Sequence, residues 1–201
     1  MPTVRVLVTG FEPFNGASLN PSQAVVEQLL GADIPGVAMH CAVLPVEFGR
    51  AAEVLTGLID DLEPHVVLAL GQAEGRAKIT PERVAINLDD ARIADNAGVM
   101  RSDVEIVAGG PSAYFATLPV KGIVQALDSS GIPAAISTTA GTFVCNHVFY
   151  AMQHHCSGRM ISSGFIHMPL MDEQAPDFPG LPTLPLDVLV SGIRTAINAS
   201  I

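Results

Sequence analysis

The stretch Ala134-Ala135-Ile136-Ser137-Thr138-Thr139-Ala140-Gly141-Thr142-Phe143-Val144-Cys145-Asn146-His147-Val148-Phe149-Tyr150 decides how this chain is to be read. Its first half, residues 134–139, predicts a short strand of small residues. Ala140-Gly141 predicts a tight turn, and from Phe143 apolar residues recur at helical spacing through Met152. A cysteine therefore stands in the first turn of a helix that leaves the end of a strand. Free N–H groups and the positive end of the helix dipole favour thiolate there, and the same N–H groups suit a developing oxyanion. A free cysteine also serves as a small buried hydrophobe, so these residues alone leave both uses open.

Outward from this stretch the order of elements is regular. Residues 4–9 form a continuous β-branched run, as a doubly buried strand would. Asn20-Pro21-Ser22-Gln23 predicts a helix start, with Asn at the N-cap, Pro at the first helical position and Gln placed to close a capping box. That helix continues through Val25, Val26, Leu29 and Leu30. Residues 37–44 predict a strand, 48–62 an amphipathic helix ended by Pro64, and 65–70 a strand. Residues 76–109 read as loops and short strands, 119–127 as helix, 161–167 as a last buried strand and 185–197 as a closing helix. Strands alternating with helices predict an α/β fold, three layers with a mostly parallel central sheet and right-handed crossovers. In such sheets a site gathers beyond the carboxyl ends of the strands.

Composition narrows the function. A length of 201 residues predicts one domain, residues 1–201, with a substantial core. A formal charge of −10 argues against nucleic acid or an anionic membrane as partner. No apolar run approaches the roughly 18 residues of a membrane span, and Arg5 interrupts the N-terminal apolar run, which does not read as a signal peptide. Cys41, Cys145 and Cys156 are odd in number and form no CxxC pair, which suits a reducing, cytoplasmic setting.

The strand-end rule brings four segments together: Gly10-Phe11-Glu12-Pro13-Phe14, Gly71-Gln72-Ala73-Glu74-Gly75-Arg76, the turn into Cys145, and His167. One thiol and one imidazole on a single edge point to nucleophilic catalysis. A non-enzymatic α/β module holding a nucleotide or small metabolite is the alternative, although the glycines after residue 70 lack GxGxxG spacing. Cys156 with His147, His154 and His155 offers zinc-ligand types, but no HExxH or CxxC accompanies them, and histidines at a helix end commonly satisfy free carbonyls.

These segments, with Ile79-Thr80-Pro81-Glu82-Arg83-Val84-Ala85-Ile86-Asn87, Asp90-Ala91-Arg92-Ile93, Asp95-Asn96 and Gly164-Phe165-Ile166-His167, resemble the pyroglutamyl peptidase I family of cysteine peptidases over nearly the whole length. The resemblance implies a Glu82–Cys145–His167 triad, Arg92 assisting at the oxyanion, no cofactor or metal, peptides with an N-terminal pyroglutamyl residue as substrates, and a homotetramer. The chain departs from the family at Glu74, where glycine is usual, and at Leu170-Met171-Asp172, where an aromatic residue and a proline are common.

Beside the resemblance, a small uncharged lactam asks for flat apolar walls and a few hydrogen bonds. Phe11, Phe14 and Phe143, three of eight phenylalanines, fall on the converging loops, and Gln72 offers an amide partner. Arg76, Lys78, Arg83 and Arg92 are four of only ten basic residues and crowd one loop region, so at least one is expected to face the site. The proline-rich apolar run 175–186 is expected at a contact between copies of the chain.

Overall fold

The computed structural model describes residues 3–201. Its elements in chain order are β1 (Val4–Phe11), α1 (Pro21–Leu29), β2 (Val37–Leu44), α2 (Arg50–Leu62), β3 (Val66–Gln72), β4 (Thr80–Pro81), β5 (Val84–Ile86), β6 (Ala113–Phe115), α3 (Val120–Ser129), α4 (Val144–Cys156), β7 (Ser162–Met168), β8 (Leu170–Met171), a single 3-10 turn (Asp172–Gln174), β9 (Thr183–Leu184) and α5 (Leu186–Asn198). The central sheet runs β2-β1-β3-β7-β4, parallel except for β4, which is antiparallel to β7.

Alternation along the strands divides the interior into two cores. Val6, Val8, Val66, Leu68, Leu70, Ile166 and Met168 face one side, where Val25, Ile123 and Ile193 bring in α1, α3 and α5. Leu7, Phe11, Val67, Ala69 and Phe165 face the other, under Leu55 of α2 and Val148 and Phe149 of α4. The three expected layers follow from this parity. His167 lies two residues beyond Phe165 and therefore projects from the α2–α4 face.

The chain departs from expectation at residues 134–139. This segment is no member of the parallel set. It lies along the outer side of β4 through bridges at Ile79–Ala134 and Glu82–Ser137. Both bridges are parallel to β4, so the segment runs opposite to β7. Residues 138–143 must then turn back before α4 begins, and Gly141 makes the turn possible at φ 76°. Three further differences are smaller. Strands β1 and β3 extend two residues beyond expectation, as far as Phe11 and Gln72. Helix α2 starts at Arg50 because Gly49 takes φ 77°. At α1 the Asn20 side chain caps the Ser22 amide as expected, but Gln23 bonds Glu27 and no capping box closes.

Gly10 shows how tightly β1 meets α1. A Cβ there would run into the backbone carbonyl of Ser22, while the Ser22 hydroxyl accepts from the Phe11 amide (2.9 Å). Gly57, on the exposed side of α2, has open space around it. Gly10→Ala is expected to lower stability by about 1–3 kcal/mol through overpacking against rigid backbone. Gly57→Ala is expected to raise it by about 0.5–1 kcal/mol through helix propensity. Urea midpoints at unchanged slope check both.

Candidate active site

The Glu82–His167 pair is set by the pairing of β4 with β7. Thr80 stands opposite His167, and the Glu82 amide donates to the Phe165 carbonyl (2.8 Å), so Glu82 and His167 project from the same face. His167 Nδ1 lies 2.8 Å from Glu82 Oε1. A carboxylate only accepts, so Nδ1 carries the proton and Nε2 keeps its lone pair. Arg76 Nη1 donates to the same Oε1 (2.7 Å) and to Thr80 Oγ1 (2.6 Å), and its Nη2 donates to the Thr139 carbonyl (3.0 Å). Thr80 Oγ1 in turn donates to the His167 carbonyl (3.2 Å).

Charge follows from this packing. Glu82 has 0% exposure. Burial pushes its carboxyl up, but the His167 hydrogen bond and charge, with Ser137 and Arg76, outweigh burial and hold it below the ordinary value. Burial pushes His167 down; Glu82 pulls it back, Arg76 pushes it further down, and it ends below its ordinary value. The imidazole is therefore neutral near pH 7.

Cys145 meets this pair over Gly71. Gly71 is the register partner of His167, and a Cβ on it would stand 2.8 Å from the Phe165 ring and 3.1 Å from Cys145 Sγ. The Phe165 and His167 rings are 4.8 Å apart. Absence of a side chain at position 71 thus leaves the room that Sγ occupies. The Cys145 thiol is pushed up to about 12, first by burial and then by the Glu82 charge; Arg76 and the cysteine's own amide pull it down less. The helix start was expected to favour thiolate, yet burial and the neighbouring carboxylate outweigh it. Phe143 provides no side-chain cap for α4, and its carbonyl takes the His147 amide. The amides of Val144, Cys145 and Asn146 donate to no backbone carbonyl outside the helix among the described residues.

All four expected substrate-contacting residues come together. Phe11, Phe14, Gln72 and Phe143 line one slot with Asn20, Val46, Val144 and Cys145. The free space is about 10 Å³, near the minimum for one water, so the walls must part to admit a ring. Phe14 and Phe143 lie 6.1 Å apart, and Phe143 rests edge-on against Phe48. Gln72 is held at both ends: its carbonyl accepts from the buried Gln174 (3.0 Å), and its amide nitrogen donates to Glu74 (3.2 Å).

Arg92 sits elsewhere. It is exposed and lines an outer cleft of about 630 Å³ with Phe14, Asn15, Glu74, Asp90 and Phe143, while Arg76 holds the buried carboxylate. The zinc-type side chains do not converge. His147 Nδ1 bonds Asp89 (2.9 Å), His154 bonds the Tyr114 hydroxyl (2.8 Å) and His155 bonds Asp60 (2.9 Å). The two helix-end histidines thus serve side chains rather than free carbonyls. Among the described residues no three His, Cys, Asp or Glu side chains form a metal-holding group.

Several supporting residues carry no signal of their own in sequence. Glu12 Oε1 accepts from the Val46 amide (3.2 Å) and Asn96 Nδ2 (2.7 Å), and Asn20 Nδ2 donates to the Glu12 carbonyl (3.0 Å). The phenylalanine loop is thereby fastened to the loop of Asp95-Asn96, two blocks far apart in the chain. Gln174 is likewise silent, a buried amide in a 3-10 turn.

A family model described as pyroglutamyl peptidase matches residues 4–201. A pyrrolidone-carboxylate peptidase of Cupriavidus taiwanensis is 50% identical, the match covering 100% of this chain and 94% of that one. One from Vibrio vulnificus is 52% identical over 94% and 89%. Among solved structures, pyroglutamyl peptidase I of Bacillus amyloliquefaciens superposes with a TM-score of 0.95 at 42% identity, covering 98% of this chain and 96% of that one. A pyrrolidone carboxyl peptidase mutant from Pyrococcus furiosus gives 0.95 at 41%, covering 98% of each chain. With the fold and the sequence in agreement over nearly the whole chain, this chain belongs to the pyroglutamyl peptidase family.

Proposed function

We propose that this chain, acting as one catalytic domain, hydrolyses the amide bond that follows an N-terminal pyroglutamyl residue, using Cys145, His167 and Glu82. The observation that carries the reading is the 2.8 Å contact of His167 Nδ1 with a fully buried Glu82, on the face where Cys145 lies over Gly71. Cys145 starts as a neutral thiol. Its proton passes to His167 Nε2 as Sγ bonds to the pyroglutamyl carbonyl carbon, and the carbonyl π electrons move onto oxygen. First-turn amides of α4 face that oxyanion, with Arg92 assisting from the rim once the walls part. His167 then gives its proton to the leaving nitrogen as the C–N bond breaks. Water adds to the thioester, His167 takes its proton, and collapse releases pyroglutamate and restores the thiol. Glu82 keeps its charge throughout, fixing the tautomer and supporting the imidazolium. The residues present account for each proton, and no metal or cofactor enters.

Recognition of the lactam falls to Gln72 and the phenylalanine walls. One Gln72 N–H is committed to Glu74 and its oxygen to Gln174. The second N–H is left for the ring carbonyl. The outer cleft with Glu74, Asp90 and Arg92 is the path for the rest of the peptide. Copies of the chain are further proposed to meet through the 175–186 run, where Leu181 is 39% exposed.

Cys145→Ala and His167→Ala are each expected to abolish turnover of a pyroglutamyl amide while leaving the circular dichroism spectrum unchanged, and the double variant is expected to be scarcely worse. Appreciable turnover by Cys145→Ala would refute the mechanism. With one leaving group, pyroglutamyl is expected to exceed prolyl and glutaminyl in kcat/KM by about 10⁴, because each analogue brings a charged amine between aromatic walls. Prolyl within tenfold would sink lactam recognition. The acid limb of kcat/KM is expected below the ordinary imidazole value of 6.5, since a depressed His167 stays neutral to lower pH. Gly71→Ala is expected to lower kcat by about 10²-fold by displacing Sγ.

A further inference from the structure

We propose that Arg76 is a positioning residue for the reaction, its guanidinium locking the orienting carboxylate and the turn that delivers the nucleophile into one geometry. The inference rests on the cysteine peptidase reading above. Arg76 leaves the loop after β3, where its amide closes a turn on the Ala73 carbonyl (3.3 Å). From there its planar fork reaches three acceptors on two other segments: Glu82 Oε1 and Thr80 Oγ1 on the β4 segment, and the Thr139 carbonyl in the turn before α4. Donors fixed in one plane constrain their acceptors in direction as well as distance.

Two consequences follow for the site. Glu82 Oε1 receives both the His167 N–H and the Arg76 N–H. Two donors that converge on one oxygen from different segments fix the carboxylate's direction more firmly than either does alone. The imidazole plane is set with it, and the Thr80 hydroxyl, bonded to Arg76 on one side and the His167 carbonyl on the other, ties the backbone of β7 to the same group. On the nucleophile side, residues 138–143 reverse the chain between the sheet edge and α4. Thr139 organises that reversal, its hydroxyl accepting from the Gly141 amide (3.1 Å). Arg76 anchors it through the Thr139 carbonyl. A single side chain therefore spans from the acid–base pair to the turn before Cys145. Lysine, a point charge on a flexible stem, cannot reproduce this fork.

The cation also acts on His167 through space. The charged groups facing that imidazole are Glu82 and Arg76, and the titratable group on the helix packed over it is Cys145. Removing the guanidinium leaves the carboxylate unopposed, so His167 holds its proton to higher pH.

Arg76→Gln and Arg76→Lys test this by steady-state kinetics across pH with a pyroglutamyl amide, together with ¹⁵N NMR titration of the His167 ring. For Arg76→Gln, kcat is expected to fall about tenfold to hundredfold, the scale of a misplaced reacting group, with KM little changed. The acid limb and the His167 titration are both expected to move to higher pH. For Arg76→Lys, both pH readouts are expected to return towards wild type, while most of the loss in kcat remains. Wild-type kcat and an unshifted acid limb in Arg76→Gln would overturn the proposal. If Arg76→Gln does not fold, wild-type kcat in Arg76→Lys would overturn the locking role. Should the wild-type protein hydrolyse no pyroglutamyl amide, the peptidase reading falls separately. The ring titration then still decides whether Arg76 governs the pair: an unmoved His167 refutes it.

Discussion

A carboxylate with no exposure to solvent is the constraint from which the sheet edge of this protein follows. Bringing an ionised carboxyl such as Glu82 out of water costs several kcal/mol, offset only by good partners. Here one oxygen accepts from an imidazole and a guanidinium. To bring both within reach, the chain runs a two-residue strand antiparallel beside β7, and the loop after β3 folds back so that Arg76 arrives from the side. The irregular edge of an otherwise regular parallel sheet is what assembles the pair. Removing one partner of such a group leaves a buried charge, which costs more than the pair contributes.

The same chemistry occurs a second time, with a different outcome. Asp89 is also unexposed, accepts from Arg101 Nη1 (2.8 Å) and lies 2.9 Å from His147 Nδ1. There, however, His147 Nε2 accepts the Gly49 amide (3.1 Å). Both ring nitrogens are committed, and the imidazole serves as a strut between α4, the start of α2 and the loop of Asp89. His167 differs in keeping one nitrogen free of any partner among the described residues. An Arg–carboxylate–His arrangement is thus no sign of catalysis by itself, since the two copies differ in whether the second ring nitrogen is already committed.

Much of this was legible in the sequence because parity and periodicity are local. The runs at β1, β3 and β7 announce buried strands, Asn20-Pro21 announces α1, and Ala140-Gly141 announces the turn into α4. Strand direction is not local. Residues 134–139 are rich in small side chains and read as a strand of either direction, and their orientation depends on Thr80–Pro81, a pairing too short to leave a pattern. The basic residues show the same limit. Arg76 and Arg92 look alike in a loop, and only the tertiary fold puts one on a buried carboxylate and the other at an exposed rim. The protonation of the Cys145 thiol is hidden from the sequence for a related reason. A helix start is visible in sequence, whereas the burial and the neighbouring Glu82 that outweigh it are not. Glu12 with Asn96, and Gln72 with Gln174, are pairs separated by 84 and 102 residues, and neither partner alone marks the contact.

Three consecutive residues of α4 perform three unrelated tasks. Cys145 faces the slot, Asn146 bonds the backbone of Ile86 and Leu88 (2.9–3.1 Å), and His147 bonds Asp89 and the Gly49 amide. Successive helical residues point about 100° apart, so these directions are bound together by the helix itself. Shortening the turn before α4 by one residue would rotate all three at once, sending Asn146 towards the slot and the thiol away from it. Cys145 therefore cannot drift along this helix by small insertions or deletions, nor be transplanted alone to another scaffold. It would travel only with the first turn of α4, the 86–89 segment and the start of α2 as a single unit of inheritance.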